Sequence, residues 1–129
     1  DLRGTLSFGE VGQHLPFELK RIFTIFDVPS KDVRGEHAHR ELHQFLICVR
    51  GSCTVVLDDG RSRDEVLLAS PALGLHIPPM VWGIQYKYSE DALLLVLASD
   101  IYKASDYIRN YDEFLSAVAG QCNKGKVNE

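Results

Sequence analysis

Arg34-Gly-Glu-His-Ala-His-Arg-Glu-Leu-His-Gln44 contains two histidines, His37 and His39, two residues apart in a segment typical of a β-strand. Side chains alternate between the two faces of a strand, so both imidazoles are expected on the same face. Imidazole transfers protons near neutral pH, and it is also a common metal ligand. The pair therefore predicts either a metal site or an acid–base pair on a sheet.

Short strands are predicted on both sides of this stretch, at intervals of roughly ten residues, and this spacing is typical of an all-β sandwich or barrel. Asp58-Asp59-Gly60 predicts a hairpin turn. Helical periodicity is found only from Asp106 or Asn110 to Val118. We therefore expect one domain over residues 1–118, closed by a short C-terminal helix, and a polar tail or linker over 119–129. The predicted strands are 20–28, 43–50, 52–58, 64–69, 75–77, 81–88 and 92–99.

Composition excludes several classes of function. The chain has 129 residues, enough for one domain with a hydrophobic core, and a formal charge of −4, which argues against a general nucleic-acid binder. Its apolar runs are too short to span a membrane. The three cysteines fall in no metal-ligand spacing, and Cys48 and Cys53 have the surroundings of core residues, so we expect a reducing, cytoplasmic location.

A metal site is the weaker of the two interpretations of the histidine pair. A third ligand is expected either near position 44 or on the strand that begins near Trp82, but Gln44 and Trp82 are poor replacements for a carboxylate and a histidine. His43, four residues after His39, is expected to face away from it and is not counted as the third ligand. Histidines on a solvent-exposed face remain the simplest alternative. We favour an acid–base pair without a metal.

Two strands, 45–49 and 93–98, are apolar at consecutive positions rather than at alternate ones. Such strands are typically covered on both faces. We therefore expect a second sheet on one side and a partner subunit on the other, which predicts a homodimer.

The same residues resemble a known family. Arg34-Gly-Glu-His-Ala-His39 with Gln44 and Gly51 resembles the first cupin motif, and residues 71–82 resemble the second. Most of the chain from residue 1 to Phe114 is similar to the dTDP-sugar 3,4-ketoisomerases. The pieces that carry the similarity are residues 1–6, 15–21, 34–44, 51–60, 77–82 and 97–114, including Asp106-Tyr-Ile-Arg109.

The resemblance implies a cupin jelly roll that forms a homodimer by exchanging N-terminal strands. It also implies conversion of dTDP-4-keto-6-deoxyglucose to a 3-keto-6-deoxyhexose through an enediol, with His37 and His39 as the catalytic pair and neither a metal nor a redox cofactor. Two alternatives stay open, a cupin of the dTDP-sugar 3,5-epimerase type and a non-catalytic cupin that binds a small ligand. The chain departs from the family at Phe23-Thr24, where tyrosines are frequent, and at Gly83, where some members have histidine.

Within this interpretation we favour His39 as the base that acts on carbon. The expected substrate contacts are Arg34, Arg3, Arg21, Gln44 and Trp82. The arginines suit phosphate oxygens, and Arg3 would reach them across the dimer if strands are exchanged. Trp82 either stacks on the substrate or belongs to the core. Tyr107 and Arg109 are expected to dock the C-terminal helix rather than to act in the site.

Overall fold

A computed structural model describes residues 2–29 and 33–127, and it consists of two antiparallel sheets and one C-terminal helix. One sheet has four strands in the order β1-β8-β3-β6, and the other has five in the order β5-β4-β7-β2-β9. The expected all-β jelly roll is confirmed. The strands are β1 Arg21–Phe26, β2 Arg34–His39, β3 Gln44–Arg50, β4 Cys53–Asp58, β5 Arg63–Leu68, β6 Gly74–Ile77, β7 Trp82–Tyr86, β8 Leu93–Ala98 and β9 Tyr107–Ile108.

The main core fills the space between the two sheets. Alternate residues of β3 and β8 point inwards, as their burial patterns show, and Leu46 lies opposite Val96 in the pairing of these strands. Cys48 and Cys53 are buried in the same core as free thiols. Burial of these apolar side chains is the main force that holds the sheets together.

A second, smaller core lies on the outer side of the five-stranded sheet, beneath helix α1 (Tyr111–Val127). Ala38, Trp82, Ile108 and Phe114 are its buried members. Ala38 lies between the two histidines in β2, so alternation places this core on the face of the strand opposite to them. The sheet thus separates the second core from the histidine pair.

Helix α1 begins where one of the two predicted starts placed it. The side-chain oxygen of Asn110 accepts a 3.0 Å hydrogen bond from the backbone N–H of Glu113, as an N-cap residue does. Asp106 instead ends a single turn of 3-10 helix, Ala104–Asp106, which leads into β9. The predicted end at Val118 was wrong, because the helix continues to Val127. The predicted boundary between domain and tail after residue 118 stays a prediction, and residues 1, 128 and 129 lie outside the described residues.

The outward face of the four-stranded sheet is apolar. The register pairs Ile22 with Leu97 and Phe26 with Leu93, and these side chains point away from the main core. Ile22 is 60% exposed and Phe26 is 58% exposed. Successive residues of β8 point to opposite faces, so its consecutive apolar side chains lie on both faces of this sheet. No helix among the described residues is long and apolar enough to cross a membrane.

Candidate active site

His37 and His39 point to the same face of β2, as the alternation predicts, and their rings are in contact. The two Nε2 atoms are 3.0 Å apart, and the ring planes are nearly perpendicular, with an interplanar angle of 88°. Simple strand geometry separates side chains at i and i+2 by about 6–7 Å. The rings lean towards each other, so the pair is coupled more closely than alternation alone suggests.

The second nitrogen of His39 is also engaged. Its Nδ1 lies 3.2 Å from Oδ2 of Asp106, which is 67 positions later in the chain. The Asp106 carboxylate also accepts hydrogen bonds from the backbone N–H groups of Glu41 and Leu42, at 2.8 and 3.2 Å. His39 is only 5% exposed. The result is a continuous chain of contacts from Asp106 through His39 to His37.

Tyr107 and Arg109 complete the surroundings of the pair. The ring of Tyr107 lies 4.9 Å from that of His37 and 4.3 Å from that of His39, measured between centroids. The guanidinium of Arg109 also lies over this ring, 4.2 Å from its centroid. β9 pairs with β2 and brings these residues to the site. The expectation that Tyr107 and Arg109 only dock the helix was therefore wrong.

Burial and nearby cations keep both imidazoles neutral. Burial, the ring of His39 and the charge of Arg109 together lower the pKa of His37 to about 4. Burial also lowers the pKa of His39, and the charges of Arg21 and Arg109 act in the same direction. The Asp106 carboxylate opposes this effect through its charge and its hydrogen bond. A neutral imidazole at physiological pH can accept a proton, as a general base must.

His39 lines two neighbouring cavities. The larger, of about 210 Å³, is bordered by Arg21, Tyr102, Asp106 and Tyr107. The smaller lies between the sheets and is lined by both histidines, and further by Gln44, Gly83 and Gln85. Together they form a polar recess around the histidine pair.

The structure brings Arg21 and Gln44 to this recess, as the sequence predicts. Arg21 lies 5.0 Å from the ring centroid of Phe23 and 5.8 Å from that of Tyr102. Its Nε atom is buried and has no hydrogen-bond partner within the described residues. Because Arg21 lines the larger cavity, its guanidinium can donate to an acceptor bound there. Gln44 is buried beside the histidines.

Trp82 lines neither of the two cavities, which favours the core alternative, and its contact with the substrate stays a prediction. Its ring packs against Tyr111 and Phe114 in the core beneath helix α1. The neighbouring residue, Gly83, lies opposite His37 in the pairing of β2 with β7 and lines the smaller cavity. A shift of one residue along a strand changes the face on which a side chain lies.

Arg34 and Arg3 lie farther from the histidines. Arg34 is exposed at the start of β2, opposite Gln85. Its charge acts on the buried hydroxyl of Tyr88, which donates to the side chain of Gln85 at 2.9 Å. Arg3 lies in the exposed N-terminal segment. Neither of them lines the two cavities described above, as far as the described residues show.

A metal site at the histidine pair would need at least one further ligand side chain nearby. The described part of the chain contains no group of three or more His, Cys, Asp or Glu side chains suited to a metal ion. His43, predicted to face away from His39, does not line the recess and contacts His76, with Nδ1 of His43 and Nε2 of His76 2.9 Å apart. This second histidine pair packs against Phe17, outside the recess.

Comparison with known proteins is decisive for the family. The family profile described as FdtA: WxcM-like, C-terminal, matches residues 1–119. A curated protein of Aneurinibacillus thermoaerophilus, TDP-4-oxo-6-deoxy-alpha-D-glucose-3,4-oxoisomerase, is 46% identical over 119 residues, which are 92% of this chain and 86% of the relative. The chain belongs to the dTDP-sugar 3,4-ketoisomerase family. It is thus an isomerase of the intramolecular oxidoreductase class.

Solved structures of the family share the fold closely. A 3,4-ketoisomerase from Helicobacter canadensis is 47% identical, with a TM-score of 0.88 over 92% of this chain and 90% of that one. A variant of the 3,4-ketoisomerase from Thermoanaerobacterium thermosaccharolyticum, in complex with TDP-4-keto-6-deoxyglucose, is 38% identical, with a TM-score of 0.87 over 92% and 86% of the two chains.

Sequence reasoning missed Asp106 as a member of the site and misassigned Tyr107 and Arg109. The period-two spacing of Tyr107 and Arg109 was a usable signal that both lie on one face of a short strand. No local pattern indicates that this strand pairs with β2, because that pairing joins residues almost seventy positions apart.

Proposed function

We propose that this protein converts dTDP-4-keto-6-deoxyglucose to a dTDP-3-keto-6-deoxyhexose, with His37 and His39 as the acid–base pair. Family membership supports the type of reaction, and the substrate is the one with which a relative was solved. The observation that carries the proposal is the 3.0 Å contact between two imidazoles in a polar recess.

The proposed reaction moves a carbonyl group from C4 to C3 of the sugar. A base removes the proton from C3, and the electron pair left behind forms the C3–C4 double bond of an enediol as the C4 oxygen gains a proton. The C3 hydroxyl then loses its proton while a proton is added to C4, which leaves a carbonyl at C3. No electrons leave the sugar, so the chemistry needs paired acid–base groups rather than a redox cofactor.

The contacts favour His37, rather than the expected His39, as the base at carbon. Both nitrogens of His39 are engaged, by Asp106 and by His37. No hydrogen bond between described residues uses Nδ1 of His37, which leaves this atom available to a substrate. His39 would then take up or return the proton through its contact with His37.

Arg21 and Gln44 are the proposed substrate contacts nearest to the histidines. The guanidinium of Arg21, which lines the larger cavity, suits a phosphate or sugar oxygen, and the amide of Gln44 can bind a sugar hydroxyl or carbonyl. Arg34 is a proposed contact of the diphosphate. Its charge acts on Tyr88, which donates a hydrogen bond to Gln85 in the lining of the smaller cavity.

The proposal is tested by incubation with dTDP-4-keto-6-deoxyglucose in heavy water, followed by NMR. A ketoisomerase yields a 3-ketone, which carries deuterium at C4 to the extent that the abstracted proton exchanges with solvent before it is delivered. An enzyme of the 3,5-epimerase type keeps the 4-ketone and labels C3 or C5, and a non-catalytic binding protein changes nothing. Either of the last two outcomes contradicts the proposal.

The histidine assignment has a matched control within the chain. His37→Asn and His39→Asn should each lower kcat by about 10²–10⁴-fold, the usual contribution of a general acid or base. His43→Asn alters the second imidazole pair, which lies outside the recess, and should leave kcat close to the wild-type value. Full turnover by both variants of the recess pair would exclude the proposed roles.

We also propose that the protein is a homodimer that exchanges N-terminal segments, in a reducing compartment that we take to be the cytoplasm. Leu2, Leu6 and Phe8 are largely exposed, as is the apolar outward face of the four-stranded sheet, and a second copy would bury both. The thiols of Cys48 and Cys53 are free, as a reducing environment requires.

Exchange can be tested by complementation between two inactive chains. If Arg3 serves the site of the partner, a mixed dimer of Arg3→Ala and His37→Asn chains contains one intact site and regains activity. Without exchange no site is intact, and the mixture stays as inactive as its components. Sedimentation of Phe26→Asp, which places a charge on the apolar face, should show a monomer.

A further inference from the structure

Asp106 is held in a fixed position beside the histidine pair. Its Oδ1 accepts the backbone N–H of Glu41, and its Oδ2 accepts the backbone N–H of Leu42. Its own carbonyl oxygen accepts the N–H of Arg40 at 2.9 Å. Three consecutive residues of the turn after β2 thus hold Asp106, two of them through its carboxylate and one through its backbone, and the side chain is 14% exposed. A carboxylate anchored in this way has little freedom to move away from His39.

The contact with Asp106 determines which nitrogen of His39 carries hydrogen. An ionised carboxylate only accepts hydrogen bonds, so Nδ1 of His39 must be the donor. A neutral imidazole carries one hydrogen, and Nε2 of His39 is therefore an acceptor. Nε2 of His37, 3.0 Å away, must then be the donor of the contact between the rings. This leaves Nδ1 of His37 with a free lone pair.

We propose that Asp106 is a positioning residue that fixes the tautomers of both histidines, so that the basic nitrogen of the pair is Nδ1 of His37. The proposal rests on the proposed function and deepens it. Asp106 does not touch the reacting carbons. It acts through His39: because Nδ1 of His39 donates to Asp106, Nε2 of His37 must donate to His39. Nδ1 of His37 is then the acceptor that we place towards the substrate.

The same arrangement gives the abstracted proton a place to reside. When Nδ1 of His37 takes the proton from C3, the ring of His37 becomes positively charged, and its Nε2–H points at the lone pair of His39. Transfer of that hydrogen to Nε2 of His39 leaves His37 neutral and moves the charge next to the carboxylate of Asp106. The reverse transfer returns a proton to His37 for delivery to C4, so protons and charge balance over the cycle.

The decisive variant is Asp106→Asn. An asparagine amide that turns its NH₂ group towards His39 donates to Nδ1, which moves the hydrogen of His39 to Nε2 and places two donors between the rings. We expect kcat for dTDP-4-keto-6-deoxyglucose to fall by about 10²-fold or more, as when the partner of a catalytic histidine enforces the wrong tautomer. KM should change less than about threefold, because Asp106 is not proposed to bind the sugar.

Glu113→Gln is the matched control. The carboxylate of Glu113 accepts a hydrogen bond from Arg40 at 3.0 Å, so it also holds the chain at the end of β2, but this ion pair is exposed to solvent. A merely structural role of Asp106 predicts a similar loss in both variants. A positioning role predicts that only Asp106→Asn loses activity.

The tautomer itself can be observed by ¹⁵N NMR of the imidazole rings in the unmodified protein, without any substrate. Hydrogen on Nδ1 of His39 and on Nε2 of His37 is expected, and hydrogen on Nε2 of His39 would overturn the proposal even if Asp106→Asn failed to fold. Wild-type turnover by a folded Asp106→Asn protein would also overturn it. If the wild-type protein isomerises no sugar, the proposed function fails, whereas the tautomer assignment is still decided by the spectrum.

Discussion

Tyr111 and Asp58 are 53 positions apart, and the hydroxyl of Tyr111 donates a 2.6 Å hydrogen bond to Oδ2 of Asp58. The same carboxylate accepts Nε of Arg63 at 2.9 Å and the backbone N–H of Gly60 at 2.8 Å. Asp58 ends β4, and Tyr111 begins helix α1. This contact therefore joins the start of the helix to the β4–β5 hairpin at the rim of the second core.

Removing the Tyr111 hydroxyl should destabilise the protein. Tyr111→Phe leaves the ring in place but removes one donor to a buried charge, which typically costs about 1.5–3 kcal/mol. The free energy of unfolding in urea measures the loss. Asp112→Asn, at an exposed position one residue along the same helix, is the control and should change this free energy by less than about 0.5 kcal/mol. Equal effects of the two substitutions would show that the contact contributes nothing specific.

Stability should also depend on Asp58 at acidic pH. Burial alone would raise the pKa of Asp58, but hydrogen bonds from Tyr111, Gly60 and Arg63 outweigh it and lower the pKa below its usual value. A carboxyl group whose pKa is depressed by folding adds stability above its unfolded pKa, and this contribution is lost as the pH falls through the folded value. Asp58→Asn should therefore show a weaker fall in unfolding free energy between about pH 5 and pH 2. An unchanged acid dependence would contradict this.

The turn between β3 and β4 should not tolerate a side chain at Gly51. Its φ of +67° is unfavourable for other residues, and an added Cβ would clash with Oγ of Ser89 and lie 2.9 Å from Cα of Ala92. Gly51→Ala should lower the free energy of unfolding by more than about 1 kcal/mol. Gly120→Ala, in the helix and with no neighbouring atom within 4 Å, should instead raise it by up to about 1 kcal/mol. Calorimetry of both variants tests the opposite signs.

The pH profile of kcat/KM should reflect the unusually low pKa of His37. Because its pKa is lowered to about 4, His37 remains a neutral base down to a pH well below the 6.5 of an ordinary histidine. Activity should therefore persist through pH 6 and decline only near pH 4. An NMR titration of His37 identifies the group responsible. A decline centred near pH 6.5, together with titration of His37 there, would contradict the proposed environment.

Trp82 should matter for stability and not for substrate binding. Trp82→Phe removes part of a ring that packs against Tyr111 and Phe114. We expect a loss of about 1–3 kcal/mol in unfolding free energy. KM for the nucleotide sugar should remain within about twofold of the wild-type value. A large rise in KM with an unchanged free energy of unfolding would show instead that Trp82 contacts the substrate.

The sequence alone was sufficient for the all-β fold and for the location of most strands. Apolar residues at strand spacing and turn residues such as Asp58-Asp59-Gly60 are local signals, and each operates within a few residues. The spacing of His37 and His39 likewise placed both rings on one face, because alternation is a property of a single strand.

The tertiary structure alone decided which residues meet that face. Alternation shows that Trp82 and Gly83 lie on opposite faces of β7, but both faces of this strand are covered, so hydrophobicity does not reveal which one meets the histidines. Asp106 reaches His39 only because β9 pairs with β2 after a chain of 67 positions. The histidine pair is thus a property of the sequence, whereas the partner that orients it is a consequence of strand pairing over long distances.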